Sequence, residues 1–157
     1  MAFPVIGDDA PNFILLNQRK DKIDLKSFRG KNNVVVYFYP KASTPGCTTQ
    51  ACAIRDSNND FGAINAAVIG ISPDATLKLQ KFDHKYNLGF TLLSDENHEV
   101  ADLYGVWGFK KFMGKEYMGI VRTSFIIDFD GKLRHVISKV NTKTHASNVI
   151  AYMKDNF

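Results

Sequence analysis

Runs of apolar residues separated by polar turns divide the chain into alternating strands and helices. Residues 34–39 form an uninterrupted β-branched and aromatic run, the pattern of a strand buried on both faces, and residues 67–71 and 124–127 repeat it. These runs predict the central strands of one sheet. Between the first two, Cys47, Ala51, Ile54, Asn58 and Phe61 recur at steps of four and three, the apolar stripe of a helix. Further helices are predicted over 75–86 and 100–104, with a last one starting after Asn141 or Thr142 and ending near Asn156. Asp130-Gly131 predicts a hairpin joining 120–128 to 132–138, and the polar turn 17–21 predicts another between 13–16 and 22–25. The order implies an α/β chain with a central mixed sheet and helices on both faces, because parallel neighbours need crossover connections.

Composition narrows the class. A chain of 157 residues with 45% hydrophobic residues is expected to form a single domain over 1–157. A domain of about 150 residues buries roughly 70% of its unfolded surface, so the two cysteines are not needed as staples. A disulfide-rich secreted module is excluded. The first 13 residues lack a basic and then apolar leader pattern and carry Asp8 and Asp9, so a reducing, cytoplasmic setting is expected. No run approaches the roughly 18 apolar residues of a membrane span, and no membrane partner is expected.

The net charge of +4 is spread along the chain. The densest basic stretch, Lys110, Lys111 and Lys115, alternates with Phe109, Phe112 and Tyr117 but belongs to no recognisable nucleic-acid module. It reads as a solvated loop, and no nucleic-acid partner is expected.

The chemistry concentrates in Pro40-Lys41-Ala42-Ser43-Thr44-Pro45-Gly46-Cys47, which follows a buried strand and opens a helix. Thr44 then Pro45 reads as an N-cap with proline at the first helical position. That register places Cys47 at the third helical position, where free backbone N–H groups and the positive end of the helix dipole favour a thiolate. The plainer reading, a small core hydrophobe, fits its place on the apolar stripe. Two prolines, a glycine and several hydroxyls around one thiol exceed what packing requires. Cys52 lies five residues on, so within one helix the two Cα atoms are about 8 to 9 Å apart, on different faces. A disulfide needs less than about 7 Å. Bonding the pair therefore requires local unwinding between 47 and 61, eased by the weak helix formers Ser57, Asn58 and Asn59.

Zinc is disfavoured, since His84, His98, His135 and His145 are scattered. Arg122 is the one charged residue in the run 120–127, and two readings stay open: a strand-end residue reaching solvent, or a cation aimed at an anion such as a cysteine thiolate. Around Trp107, Phe109 and Phe112 the choice lies between packing a loop and lining a substrate entrance, with packing preferred.

The run from Phe38-Tyr39-Pro40-Lys41 through Thr44-Pro45-Gly46-Cys47-Thr48 to Ala51-Cys52 and Arg55-Asp56 resembles the peroxiredoxins of the bacterioferritin comigratory protein, or peroxiredoxin Q, subfamily. Similar stretches include Gly70-Ile71-Ser72, Tyr104-Gly105-Val106-Trp107-Gly108 and Arg122-Thr123-Ser124-Phe125. The turn 17–21 departs from it where the subfamily often has glycine. The resemblance implies a thioredoxin-like fold with an extra N-terminal hairpin. It also implies an antioxidant thiol peroxidase acting on hydrogen peroxide and organic hydroperoxides without cofactor or metal. Cys47 is then the peroxidatic and Cys52 the resolving cysteine, joined transiently as an intramolecular disulfide. Thr44 and Arg122 orient the peroxide and Pro40 shields the site. Thioredoxin or a similar dithiol is the implied reductant, and a monomer or weak homodimer the implied assembly. The rivals are a general disulfide oxidoreductase, whose cysteines usually stand two residues apart, and a zinc module or redox sensor that reports to a partner.

Overall fold

Residues 34–38 show no polar alternation because both sides of the strand face apolar cores: Val35 and Tyr37 feed one, Val34, Val36 and Phe38 the other. The computed structural model describes residues 2–157. In chain order these form β1 (Ile14–Asn17), β2 (Lys22–Asp24), a 3-10 turn (Leu25–Phe28), β3 (Asn33–Phe38), α1 (Pro45–Asp56), α2 (Asn58–Ala63) and β4 (Ala66–Ser72). There follow α3 (Thr76–Tyr86), β5 (Thr91–Ser94), α4 (Glu99–Leu103), β6 (Trp107–Phe112), β7 (Lys115–Ile120), β8 (Thr123–Ile127), β9 (Leu133–Ile137) and α5 (His145–Asn156). Seven strands make one sheet in the order β2-β1-β5-β4-β3-β8-β9, and β6 and β7 form a separate ribbon. β3 runs parallel to β4 and antiparallel to β8, so the sheet is mixed and the architecture is the thioredoxin-like α/β arrangement expected.

The chain steps from β3 to β4 to β5 in one direction across the sheet, and right-handed crossovers then place α1, α2 and α3 on the same face. There they pack with α5 over Val35, Tyr37, Val68 and Leu92. The other face is covered by α4 together with Phe13, Leu25, Tyr104 and Val106, so helices flank both faces but unequally. β1 and β2 form the N-terminal hairpin and join the sheet through β5. The Asn17 side chain closes their turn by accepting from the N–H groups of Arg19 and Asp21, at 2.9 and 3.0 Å.

Four expectations are corrected. The helix foreseen across 47–61 is two helices, because Ser57 leaves helical geometry (φ −99°, ψ 13°), and Asn58 is exposed while Phe61 stays buried. The run 120–128 is split: Ile120 closes β7 in the ribbon, and β8 begins at Thr123. Residues 110–117, read as a loop, are a hairpin whose two-residue turn Met113-Gly114 has positive φ at both positions, 51° and 77°. That turn normally carries Asn-Gly or Asp-Gly, so Met113 hid it. The last helix starts at His145, slightly later than foreseen.

Gly70 pairs with Tyr37 across β3 and β4, and a Cβ there would stand 2.8 Å from the Tyr37 ring and hydroxyl. Tyr37 is 1% exposed and cannot swing away. Gly70→Ala is therefore expected to destabilise the fold by about 1 to 3 kcal/mol through overpacking, read as a lowered urea midpoint at unchanged slope.

Candidate active site

Thr44 is the N-cap of α1 and Pro45 its first residue, as the sequence pattern predicts. The Thr44 hydroxyl does not cap the helix. It donates to the Lys41 carbonyl at 2.8 Å, which folds the 41–44 loop onto itself. The first helical bond runs from Thr48 N–H to Thr44 C=O, so the N–H groups of Gly46 and Cys47 are left without intrahelical acceptors.

Cys47 sits on that first turn, 1% exposed. Arg122 lies between β7 and β8, and its Nη2 donates to Cys47 Sγ at 3.2 Å, which selects the anion-facing reading of this arginine over the solvent-facing one. Its Nη1 donates to Gln50 Oε1 at 2.6 Å. Gln50 is fully buried and stands three residues beyond Cys47, on the same side of α1. It was not singled out from sequence, although that spacing to the cysteine was the available signal. Lys110 was missed as well: half-buried on β6, it is held below the usual lysine range by burial and by the Arg122 guanidinium, with Cys47 opposing. Strand alternation along 107–112 would have turned it inward, had the hairpin been recognised.

Pro40, Thr44 and Pro45 share a groove of about 600 Å³ with Pro73, Trp107, Lys110, Phe112, Tyr117, Met118 and Ile120. Trp107 meets both readings, stacking on His98 with ring centres 3.9 Å apart and lining the groove with Phe112, while Phe109 is 70% exposed and lies outside it. Cys52 is half-buried on the same unbroken helix as Cys47, and both thiols are free. Among the described residues no three His, Cys, Asp or Glu side chains gather as a metal site.

Beneath α1 the floor is aromatic and neutral. Tyr37 and Tyr39 stack with ring centres 5.4 Å apart, and burial keeps both phenols protonated, with the neighbouring Tyr39 adding to it at Tyr37 and Asp74 adding to it against Ser72 at Tyr39. His145 lies against Tyr37, its Nε2 2.7 Å from Ser124 Oγ. Burial, assisted by Arg122, lowers its pKa from 6.5 to about 4. The unfolded chain therefore binds a proton that the folded one refuses. The contribution of His145 to stability is complete above about pH 6.5 and is lost as pH falls toward 4. Urea unfolding at pH 7 and pH 4.5 is expected to show a loss of about 2 to 3 kcal/mol from this residue. His145→Gln is expected to flatten that part of the slope.

A protein-family model described as the AhpC/TSA family matches residues 6–136. The Escherichia coli (strain K12) protein named peroxiredoxin Bcp is 49% identical over 96% of this chain and 96% of its own length. A crystal structure of peroxidoxin BcpB from Mycobacterium tuberculosis is 35% identical, covers 97% of both chains and superposes with a TM-score of 0.85. The bacterioferritin comigratory protein of Xanthomonas campestris, whose structures concern alkyl peroxide reduction, is 29% identical, covers 91% of this chain and 90% of its own, and has a TM-score of 0.85.

Proposed function

The chain belongs to the AhpC/TSA family and is a peroxiredoxin of the Bcp type, a peroxidase, and on that premise we propose that Cys47 is the sulfur that meets the peroxide and Cys52 the one that resolves it. The observation that carries this reading is the 3.2 Å contact from Arg122 Nη2 to Cys47 Sγ at the open first turn of α1.

The Cys47 thiolate attacks the nearer peroxide oxygen; an S–O bond forms, the O–O bond breaks, and the departing oxygen takes up a proton to leave as water or an alcohol. Negative charge grows on that oxygen. On this reading Arg122, the Thr44 hydroxyl turned from Lys41, and the free N–H groups of Gly46 and Cys47 meet it and act most strongly in the transition state, a role supported by the Arg122 contact to Cys47. Pro40 and its neighbours in the groove keep water away, and the apolar wall suits organic hydroperoxides as well as hydrogen peroxide. The Cys52 thiolate then attacks the sulfenic sulfur, forming the disulfide as hydroxide leaves and is protonated to water. A dithiol, with thioredoxin the implied donor, restores both thiols by exchange.

With both thiols in one chain, no second copy is needed to supply a cysteine, and we read the chain as a single domain acting as a monomer or weak homodimer in a reducing cytoplasm. Because α1 is continuous from Pro45 to Asp56, resolution requires part of it to open.

Mass spectrometry of the reduced protein after a peroxide pulse tests the assignment. Expected are rapid loss of two thiols in the parent, a sulfenic or over-oxidised Cys47 in Cys52→Ser, and no fast reaction in Cys47→Ser. Equal peroxide consumption by Cys47→Ser would remove the assignment. Hydrogen exchange is expected to show amides of 47–56 less protected in the oxidised parent than in the reduced one, and equal protection would contradict the opening of α1.

A further inference from the structure

The loop 40–44 is held in a conformation that its own residues do not favour. Ser43 has φ +66°, in the left-handed region where a serine is strained, immediately between Ala42 and Thr44. Something outside the loop has to hold it. The Ala42 N–H donates to Asp74 Oδ2 at 2.7 Å, and that oxygen also accepts from Ser72 Oγ at 2.8 Å. Asp74 is 7% exposed, and its own carbonyl accepts from Ser94 Oγ at 2.6 Å, so the carboxylate is held to the end of β4 and the backbone that carries it to the end of β5.

We propose that Asp74 is a positioning residue for peroxide reduction: through Ala42 it clamps the strained loop that aims Thr44 and the first turn of α1 at the reacting oxygen. The proposal rests on the reading of Cys47 as the attacking thiolate. A carboxylate makes the stronger, charge-assisted version of this bond, and burial in the β4–α3 turn keeps water from competing for it. The clamp touches neither sulfur nor Arg122, so its loss reaches the reacting atoms through the loop, and small misplacements of catalytic groups are costly to rate.

The test is single-turnover oxidation of Cys47 by hydrogen peroxide, followed by mass, in the full chain. Asp74→Ala is expected to slow the step about 10- to 100-fold. Asp74→Asn, which keeps an oxygen for the Ala42 N–H, is expected to stay within about threefold of the parent. Ser43→Gly, which adopts positive φ without strain, is expected to recover at least about threefold of the rate lost in Asp74→Ala. Asp128→Ala is the stability control. Asp128, at the opposite end of β8 from Arg122, accepts from the Asp130 and Lys132 N–H groups, both at 2.9 Å, and its loss is expected to lower Tm without slowing the reaction.

The proposal is overturned if Asp74→Ala reacts within about twofold of the parent, or if Asp128→Ala is slowed as much as Asp74→Ala. Should Asp74→Ala not fold, Asp74→Ser is judged by the same criteria. Undiminished reaction in Cys47→Ser would overturn the premise together with the proposal, a failure recognisable because it does not involve Asp74.

Discussion

The register between β3 and β8 is the constraint on which the site rests. Phe38 lies opposite Thr123 in an antiparallel pair, so the end of one strand and the start of the other meet at a single edge of the sheet. The chain leaves β3 into the loop that opens α1 and enters β8 directly after Arg122, and so a guanidinium meets a sulfur 75 residues away. A slip of one residue would turn Val34, Val36 and Phe38 toward the opposite core and carry Arg122 away from α1. The two apolar cores, one on each face of β3, make such a slip prohibitive.

Arg122 is in turn held by a residue of the helix it faces. Gln50 takes one guanidinium nitrogen and Cys47 the other, so the cation spans nearly one turn of α1. This arrangement satisfies a partly buried charge while leaving the N–H groups of the first turn unclaimed. The aromatic floor contributes by remaining neutral: protonated phenols and an uncharged imidazole offer no anion to compete for the arginine.

The central strands, the N-terminal hairpin, the Asp-Gly hairpin and the start of α1 were legible in the sequence because each rests on a local rule: an apolar run, a turn dipeptide, a cap followed by proline. The juxtaposition of Cys47 with Arg122 depends on strand order, so the lone charge in the run 120–127 left it as one of two open readings, and family resemblance favoured it. Gln50 escaped because a glutamine on a helix is usually solvated, and nothing near it in the chain announces an arginine partner. Lys110 and the groove wall escaped because Met113 stands where a hairpin turn normally has asparagine or aspartate. The break at Ser57 escaped because the stripe from Cys47 to Phe61 continues through it in register.

On the mechanism proposed above, that break bounds how far the opening of α1 can spread. With α1 ending at Asp56 and α2 starting afresh at Asn58, the hydrogen-bond ladder that must yield when the two sulfurs join is interrupted before Phe61, which stays 3% exposed in the core. The junction works as a firebreak: strain introduced at the first turn of α1 can be spent within twelve residues, and the sheet and its remaining helices are left as a fixed frame for α1 to return to.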